Sequence, residues 1–282
     1  MRVLVLGSKG QTGLALIQMA RTRGFDVLGL DREDIEIAAQ EEIDRAVDAF
    51  KPTHIVNAAA YNAVDAAEEH SDEAFVTNGF GPGCLALAAR RHGAVIVHYS
   101  TDYVFDGTKG SDYVEEDPPS PLSVYARSKL LGEEAVLSTH EKSYVLRTSW
   151  VFGPGGVNFV SRVIKLASEK PELSFVDDSF CQPTYAPDLA RVTFELVGRG
   201  APFGIFHAAG AEVMTPYSWA AAALSQAGVK THIRAVKSGA FETRARRPLR
   251  PVLSTAKLAA LGIDIPGGPS RLADYFAGRI EC

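Results

Sequence analysis

Short apolar runs alternate with helix-period stretches through the first half of this 282-residue chain. This is the order in which βαβ units build a parallel sheet. Val3–Leu6 predicts a first strand, Thr12–Arg23 a helix with Leu14, Ile17 and Ala20 on its apolar face, and Asp26–Leu30 a second strand. Gln40–Phe50 reads as a helix closed by Lys51-Pro52, and His54–Asn57 as a third strand. A long helix is expected over Asp72–His92, interrupted by Gly79, Gly81, Pro82 and Gly83. Ala94–Ser100 and Tyr144–Thr148 are nearly continuous apolar strands on either side of a helix over Tyr125–Leu137, the pattern of a sheet covered on both faces.

After Trp150 the pattern loosens into a Gly-Pro-Gly-Gly loop at 153–156, a helix near Asn158–Glu169, and shorter elements set between prolines. The expected fold is α/β: a Rossmann-type doubly wound parallel sheet over residues 1–150 and a smaller lobe over 151–282, with some later segments returning to the first domain. No internal repeat or low-complexity tract is present.

A hydrophobic content of 46% supplies a sizeable core without staples. Net charge is −5 with no basic run, which argues against nucleic acid and anionic membranes as partners. Cys84, Cys181 and Cys282 are widely spaced, with no Cys-x-x-Cys or Cys/His cluster to hold a metal. The apolar start is cut at Gly7, too short for a signal-peptide core, and a cytoplasmic location is expected.

Three motifs carry the chemistry. Gly7, Gly10 and Gly13 sit between the first strand and first helix, where a chain turns tightly, lets a pyrophosphate approach its backbone and offers it a helix N-terminus. The residues 1–150 are therefore expected to bind NAD(P). Asp31 ends the second strand, where a carboxylate accepts from the adenosine ribose and favours NAD. The adjacent Arg32 suits a 2′-phosphate, so both NADPH and NADH are expected, with an ordinary surface Asp-Arg-Glu-Asp turn as the alternative.

Tyr125 and Lys129 are four residues apart on a helix and share a face. A phenol ionises near 10, and the expectation is that the lysine cation lowers this so that Tyr125 can serve as acid and base while Lys129 also holds the nicotinamide ribose. Thr101 follows a strand at the carboxyl edge of the sheet, placed either to polarise a substrate oxygen or to cap a turn. Ala58, Ala59 and Ala60 end the third strand with small side chains across which a cofactor can lie. Trp150 has two open readings, a stacking surface for a base or sugar and a core residue.

The spacing of the strand-turn-helix glycines resembles that of the extended short-chain dehydrogenase/reductase superfamily, and longer stretches resemble the dTDP-4-dehydrorhamnose reductase family. The resemblance runs from residue 1 to about 275 through the segments 56–68, 98–107, 120–133, 147–153 with Asn158-Phe159, and 182–190. It implies NAD(P)H-dependent reduction of the 4-keto group of a dTDP-linked 4-keto-6-deoxy sugar, dTDP-4-dehydro-L-rhamnose. It assigns Tyr125 as proton donor, Lys129 as its partner and cofactor ligand, and Thr101 as the polarising hydroxyl. Val64, Asp102 and Trp150 would touch the sugar nucleotide. Gly10, Gln11, Thr12, Ala58 to Ala60 and the pair Glu36-Ile37 would line the cofactor, although the family usually carries Asp-Ile at that pair.

Some family members bridge protomers through magnesium, using a glutamate where this chain has Ala15. A late Arg-Pro-x-x-Ser pattern reads Arg247-Pro-Leu-Arg-Pro251 here. The expectation is therefore no bound metal and a monomer or metal-independent homodimer. Three other readings compete. Dehydratases of the superfamily carry two carboxylates after the threonine, whereas this chain has Asp102-Tyr103. A reductase of another nucleotide-linked 4-keto-6-deoxy sugar fits the same motifs. A non-catalytic NADP-binding regulatory subunit would have no need of Thr101, Tyr125 and Lys129 together.

Overall fold

The computed structural model describes residues 1–278, so Cys282 lies outside the described residues. Strands β1 (Arg2–Leu6), β2 (Asp26–Leu30), β3 (His54–Asn57), β4 (Val95–Thr101) and β5 (Ser143–Thr148) form a parallel sheet, and a late strand, Gly204–His207, adds a sixth at its edge. β1 lies between β2 and β3. The chain thus winds outward on one side of β1 and then on the other, which opens a crevice at the carboxyl ends of the strands.

Helix α1 (Gln11–Thr22) covers one face of the sheet together with a later helix, Ala186–Gly198. Its buried side is Ala15, Leu16, Met19 and Ala20, whereas Leu14 is exposed and Ile17 only partly buried. This corrects the expected face. The small Gly13 and Ala15 let the helix roll closer to the sheet, and Leu14 turns instead toward the 153–157 loop, where a Cβ on Gly155 would come within 2.2 Å of it.

Helices α2 (Gln40–Phe50), α4 (Gly81–His92) and α5 (Val124–Thr139) cover the other face through Ile43, Val47, Leu85, Ala89 and Val136. The helix expected over 72–92 is not broken at its glycines. Helix α3 (Ser71–Phe75) passes through a π turn, Val76–Phe80, directly into α4. Pro82 falls in the first turn of α4, a position where its missing N–H costs little. Gly132 of α5 explains the close approach of the two helices, since a Cβ there would stand 2.1 Å from the Asn78 carbonyl oxygen.

Outside the main sheet a smaller lobe holds helices α6 (Phe159–Glu169) and α8 (Pro216–Ala227) with two small parallel ribbons, whereas α7 (Ala186–Gly198) is the later helix that packs on the sheet beside α1. One ribbon joins β6 (Val151–Phe152) to β8 (Thr184–Tyr185), and the other joins β7 (Glu172–Val176) to β10 (His232–Val236), β9 being the strand 204–207 of the main sheet. Phe152, Tyr185 and Trp219 centre a separate core in this lobe. Among the described residues no helix is long and apolar enough to cross a membrane.

Candidate active site

The turn after β1 is built by its glycines. Gly7 has φ +72°, and a Cβ there would lie 2.6 Å from Ala59 N. A Cβ on Gly13 would lie 2.1 Å from the Gly7 carbonyl oxygen, so the start of α1 can seat on the turn only without a side chain. Gly10 differs, because the nearest protein atom to its Cβ position is 3.4 Å away and the residue faces a groove. No side chain caps the first turn of α1 and no acid occupies it, leaving amide donors and the positive end of the helix toward that groove.

The groove continues along the sheet edge in two parts. A cavity of about 570 Å³ is lined by Gly7, Gly10, Asp31, Arg32, Glu36, Ile37 and Ala58 to Ala60. Next to it, a cleft of about 380 Å³ is lined by Gly10, Gln11, Thr12, Thr101, Asp102, Tyr125, Lys129 and Trp150. Gly10, Ala58 to Ala60 and Asn62 border both. Nearly all of the residues singled out in the sequence therefore meet at one sheet edge. Gly13 packs beneath the turn, and Val64 lies half-buried outside both linings, beside Asp65.

At the first cavity, Asp31 accepts from Lys9 N at 2.8 Å and from Arg32 N at 2.9 Å, so its carboxylate also holds the glycine turn. Lys9 Nζ pairs with Glu33 at 2.5 Å, and the Arg32 side chain is 90% exposed. Asp34 accepts from Asp31 N at 2.9 Å, so two cations, Lys9 and Arg32, and three carboxylates, Asp31, Glu33 and Asp34, stand at the end of β2.

In the cleft, Thr101 and Thr148 are register partners at the carboxyl ends of β4 and β5. The Thr101 hydroxyl accepts from Tyr103 N at 3.2 Å, donates to Asp102 Oδ1 at 3.1 Å, and meets the Tyr125 phenol. It is both a cap and part of the cleft. Helix α5 is fixed at its start by Ser123, which accepts from Ala126 N at 3.2 Å, and by Glu68, which accepts from Val124 N at 2.8 Å. Trp150 likewise answers to both of its readings: it lines the cleft and packs on Phe159 with ring centroids 5.1 Å apart. Its φ of +45° is a strained value for an aromatic residue, and β6 follows at once to hold it.

Lys129 is buried and donates from Nζ to Tyr99 O at 2.6 Å. Burial lowers its ionisation to about 8, opposed by Glu133. The expectation that Lys129 lowers the phenol of Tyr125 is corrected here. Burial pushes Tyr125 up to about 12, with the Thr101 hydrogen bond acting in the opposite direction and Asp102 adding to the rise. The lysine's proton is directed at a β4 carbonyl, and the phenol stays protonated across the neutral range.

Several contributors escaped the sequence reading. Asn78, in the π turn, accepts from Tyr61 N at 2.8 Å and donates to Tyr61 O and Ser128 Oγ at 3.0 Å, which fixes the loop carrying Ala58 to Ala60. Asn158 donates to Gln11 Oε1 at 2.9 Å across 147 residues, joining the second lobe to the glycine turn. Arg247 grips Asp65 at 2.6 and 2.9 Å and reaches the Tyr103 hydroxyl, while the Tyr103 ring sits edge-on to Tyr125 at 6.2 Å. Asn158 and Arg247 fall in segments compared with the family above, but no role was read for either, and for Asn78 the signal was an asparagine inside a helix pattern.

Comparison with known proteins now decides the family. A sequence model of the RmlD substrate binding domain matches residues 1–277. The chain belongs to that family. It is similar to the spore coat polysaccharide biosynthesis protein SpsK of Bacillus subtilis (strain 168), 38% identical over 99% of this chain and 98% of that protein. It is also similar to a dTDP-4-dehydrorhamnose reductase of Aggregatibacter actinomycetemcomitans, 38% identical over 93% and 94% of the two chains. Among solved structures, dTDP-4-dehydrorhamnose reductase of Bacillus anthracis str. Ames in complex with NADP superposes with a TM-score of 0.95, at 31% identity over 99% of each chain.

Proposed function

We propose that the protein reduces the 4-keto group of dTDP-4-dehydro-L-rhamnose with NADPH or NADH, giving dTDP-L-rhamnose. The observation that carries this reading is the cleft in which Thr101, Tyr125 and Lys129 meet beside an open glycine turn. The turn fits a dinucleotide, because the missing side chain of Gly10 leaves space that no protein atom fills. Gly7, Gly10, Gln11, Thr12 and Gly13 would build the pyrophosphate cradle, Asp31, Arg32, Glu36 and Ile37 the adenosine end, and Ala58 to Ala60 the floor. A reduced nicotinamide bound there supplies the hydride.

The protein's own work is on the oxygen. As the ketone becomes an alkoxide, hydrogen bonds from Thr101 and Tyr125 stabilise the growing charge, and the phenol then releases its proton to it. A phenol held near 12 by burial is the correct acid for this direction, being protonated at neutral pH and still more acidic than an alcohol. Lys129 would hold the nicotinamide ribose, and Val64, Asp102 and Trp150 would contact the sugar nucleotide. On this reading residues 1–150 are the cofactor domain, residues 151–282 mainly the substrate lobe, with α7 and β9 returning to the sheet, and the enzyme works in the cytoplasm.

The similarity to SpsK over 99% of the chain favours a second reading, a reductase of another nucleotide-linked 4-keto-6-deoxy sugar. Loss of NADPH absorbance with dTDP-4-dehydro-L-rhamnose, and a product heavier by two hydrogens, tests the first. Turnover only of a 4-keto-6-deoxy sugar on another nucleotide would replace it with the second, and no turnover of either would overturn both.

A further inference from the structure

Thr101, Asp102 and Ser149 form one hydrogen-bonded line running from the cleft into the protein, and Tyr125 stands at its outer end in the same cleft. Tyr125 meets the Thr101 hydroxyl, Thr101 bonds Asp102 Oδ1 at 3.1 Å, and Ser149 Oγ donates to Asp102 Oδ2 at 2.7 Å. At the inner end Ser149 Oγ accepts from Gln182 N at 3.3 Å, and Asp102 Oδ2 is the one acceptor its own proton meets among the described residues, so Ser149 donates to Asp102. At the outer end Thr101 has one proton and two lone pairs, and one lone pair is taken by Tyr103 N.

The direction of the line then depends on Asp102. If the carboxyl is ionised, it accepts from Thr101, and Thr101 in turn draws the phenol proton of Tyr125 inward. If it is neutral, its Oδ1–H donates to Thr101, the Thr101 proton turns to the Tyr125 oxygen, and the phenol proton is free for the cleft. Both patterns satisfy every atom of the line, and they exclude each other.

We propose that protonated Asp102 orients this line so that Tyr125 donates into the cleft, which makes Asp102 a positioning residue for the proton donor. The inference rests on the reductase reading above. In the step itself the Tyr125 O–H bond breaks as its proton passes to the substrate alkoxide. The Thr101 proton moves to the phenolate, the Asp102 proton to Thr101, and the resulting carboxylate is reprotonated from solvent through the cleft that it borders.

The surroundings suit a neutral acid. Asp102 is 2% exposed, and burial raises its ionisation to about 7, against the Ser149 and Thr101 hydrogen bonds. The titratable groups that face it are Tyr103 on the same turn, Tyr125 on α5 and Cys181 ahead of β8, each with its own ionisation pushed up, first of all by burial. The nearby cations are committed elsewhere, Lys129 to Tyr99 O and Arg247 to Asp65 and Tyr103.

Infrared difference spectroscopy of the whole protein without substrate tests the line directly. The expected result is a protonated-carboxyl band that vanishes with a midpoint near neutrality and is missing in Asp102→Asn. The Tyr125 C–O stretch, assigned by its loss in Tyr125→Phe, should shift with that same midpoint. In Asp102→Asn it should not respond to pH, since Ser149 holds the amide oxygen and turns its NH₂ toward Thr101. For ketone reduction, wild-type kcat should fall about tenfold per pH unit above the midpoint, and the Asn variant should lack that limb whatever its absolute rate. An Asp102 ionised throughout about pH 5 to 9, a Tyr125 band indifferent to the midpoint, or an unchanged limb in the variant would overturn the proposal. Should Asp102→Asn not fold, Ser149→Ala decides: losing a bond that favours the carboxylate must raise the band's midpoint, and an unmoved midpoint refutes it. Wild-type protein that turns over no keto sugar would defeat the reductase reading while leaving the spectroscopic result to judge the line.

Discussion

Lys129 and Glu133 stand one turn apart on α5, both buried, and each is tied to a different strand: Lys129 Nζ to Tyr99 O of β4, and Glu133 to Arg147 of β5 at 2.7 Å. With much of the Glu133 charge answered by Arg147, burial dominates at Lys129 and holds its ionisation near 8. Between about 8 and the unfolded value near 10.5 the unfolded chain binds more protons than the folded one. The cost of the buried ammonium is thus complete below pH 8 and fades as pH rises through that window. Lys129→Met should raise the melting temperature at pH 7, by less at pH 10, while removing most turnover. Equal gains at both pH values in thermal denaturation would contradict this.

Tyr125→Phe keeps the ring against Tyr103 and deletes the hydroxyl, and with it both the proton and the contact with Thr101. It should lower kcat by roughly 10²- to 10⁴-fold while leaving NADPH affinity nearly unchanged. Steady-state kinetics beside a fluorescence titration of NADPH separates the two effects, and undiminished kcat would remove Tyr125 from the chemistry.

Arg147 and Glu133 are each 2% exposed in their side chains, and Arg147 also lies over the Phe105 ring at 5.0 Å. Removing one partner strands the other charge in the interior. Arg147→Met should cost about 3–5 kcal/mol, and pairing it with Glu133→Leu should recover part of that loss. Urea denaturation of both variants checks it; a double variant no more stable than the single one would show that the charge left behind is not the source of the cost.

At the end of β2, Asp31 and Arg32 line the same cavity, and on the proposed reading they would pull cofactor choice in opposite directions. NADH and NADPH are expected to support turnover within about tenfold of each other, or about 1.4 kcal/mol in binding. Asp31→Ala should move the kcat/KM ratio toward NADPH. Because Asp31 also holds Lys9 N, it should weaken both cofactors somewhat. A ratio moving toward NADH would contradict the assignment.

Metal-bridged assembly is not expected. Ala15 and Pro251 are both buried, and Asp188 is held by Arg271 at 2.7 and 2.8 Å. Magnesium requires oxygen ligands in near-octahedral array. EDTA should leave activity and mass by light scattering unchanged, whereas a dimer that dissociates with EDTA and re-forms with magnesium would reverse this conclusion.

The first five strands were legible in the sequence to within a residue or two, because β-branched and aliphatic runs between glycines have no competing reading at that length, whereas the short strands after Trp150, β9 of the main sheet among them, were not placed. The residues of the cleft were legible through local spacing, as with Tyr125 and Lys129 on one helix face. What stayed hidden was set by partners distant along the chain. The 182-residue span from Arg247 to Asp65 and the 147-residue span from Asn158 to Gln11 leave no periodic trace. Leu14 looked like a core residue because its outward loop lies about 140 positions later in the chain. The direction of the Tyr125 shift was hidden too, since helical spacing says where Lys129 sits but not which oxygen its proton meets.

The π turn at Val76–Phe80 carries one residue more than a regular helix would need. That extra residue sets a rotational phase: Glu73 and Thr77 border the groove beside the glycine turn and Asn78 braces the loop beneath it, while Phe80, 61% exposed, is turned outward. Deleting a single residue here would restore an unbroken α-helical repeat and rotate everything before it by roughly 100°. The helix would be more regular and the groove would lose one wall. Length at this point is therefore as much a part of the site as side-chain identity, and a homologue one residue shorter here would have to rebuild this groove.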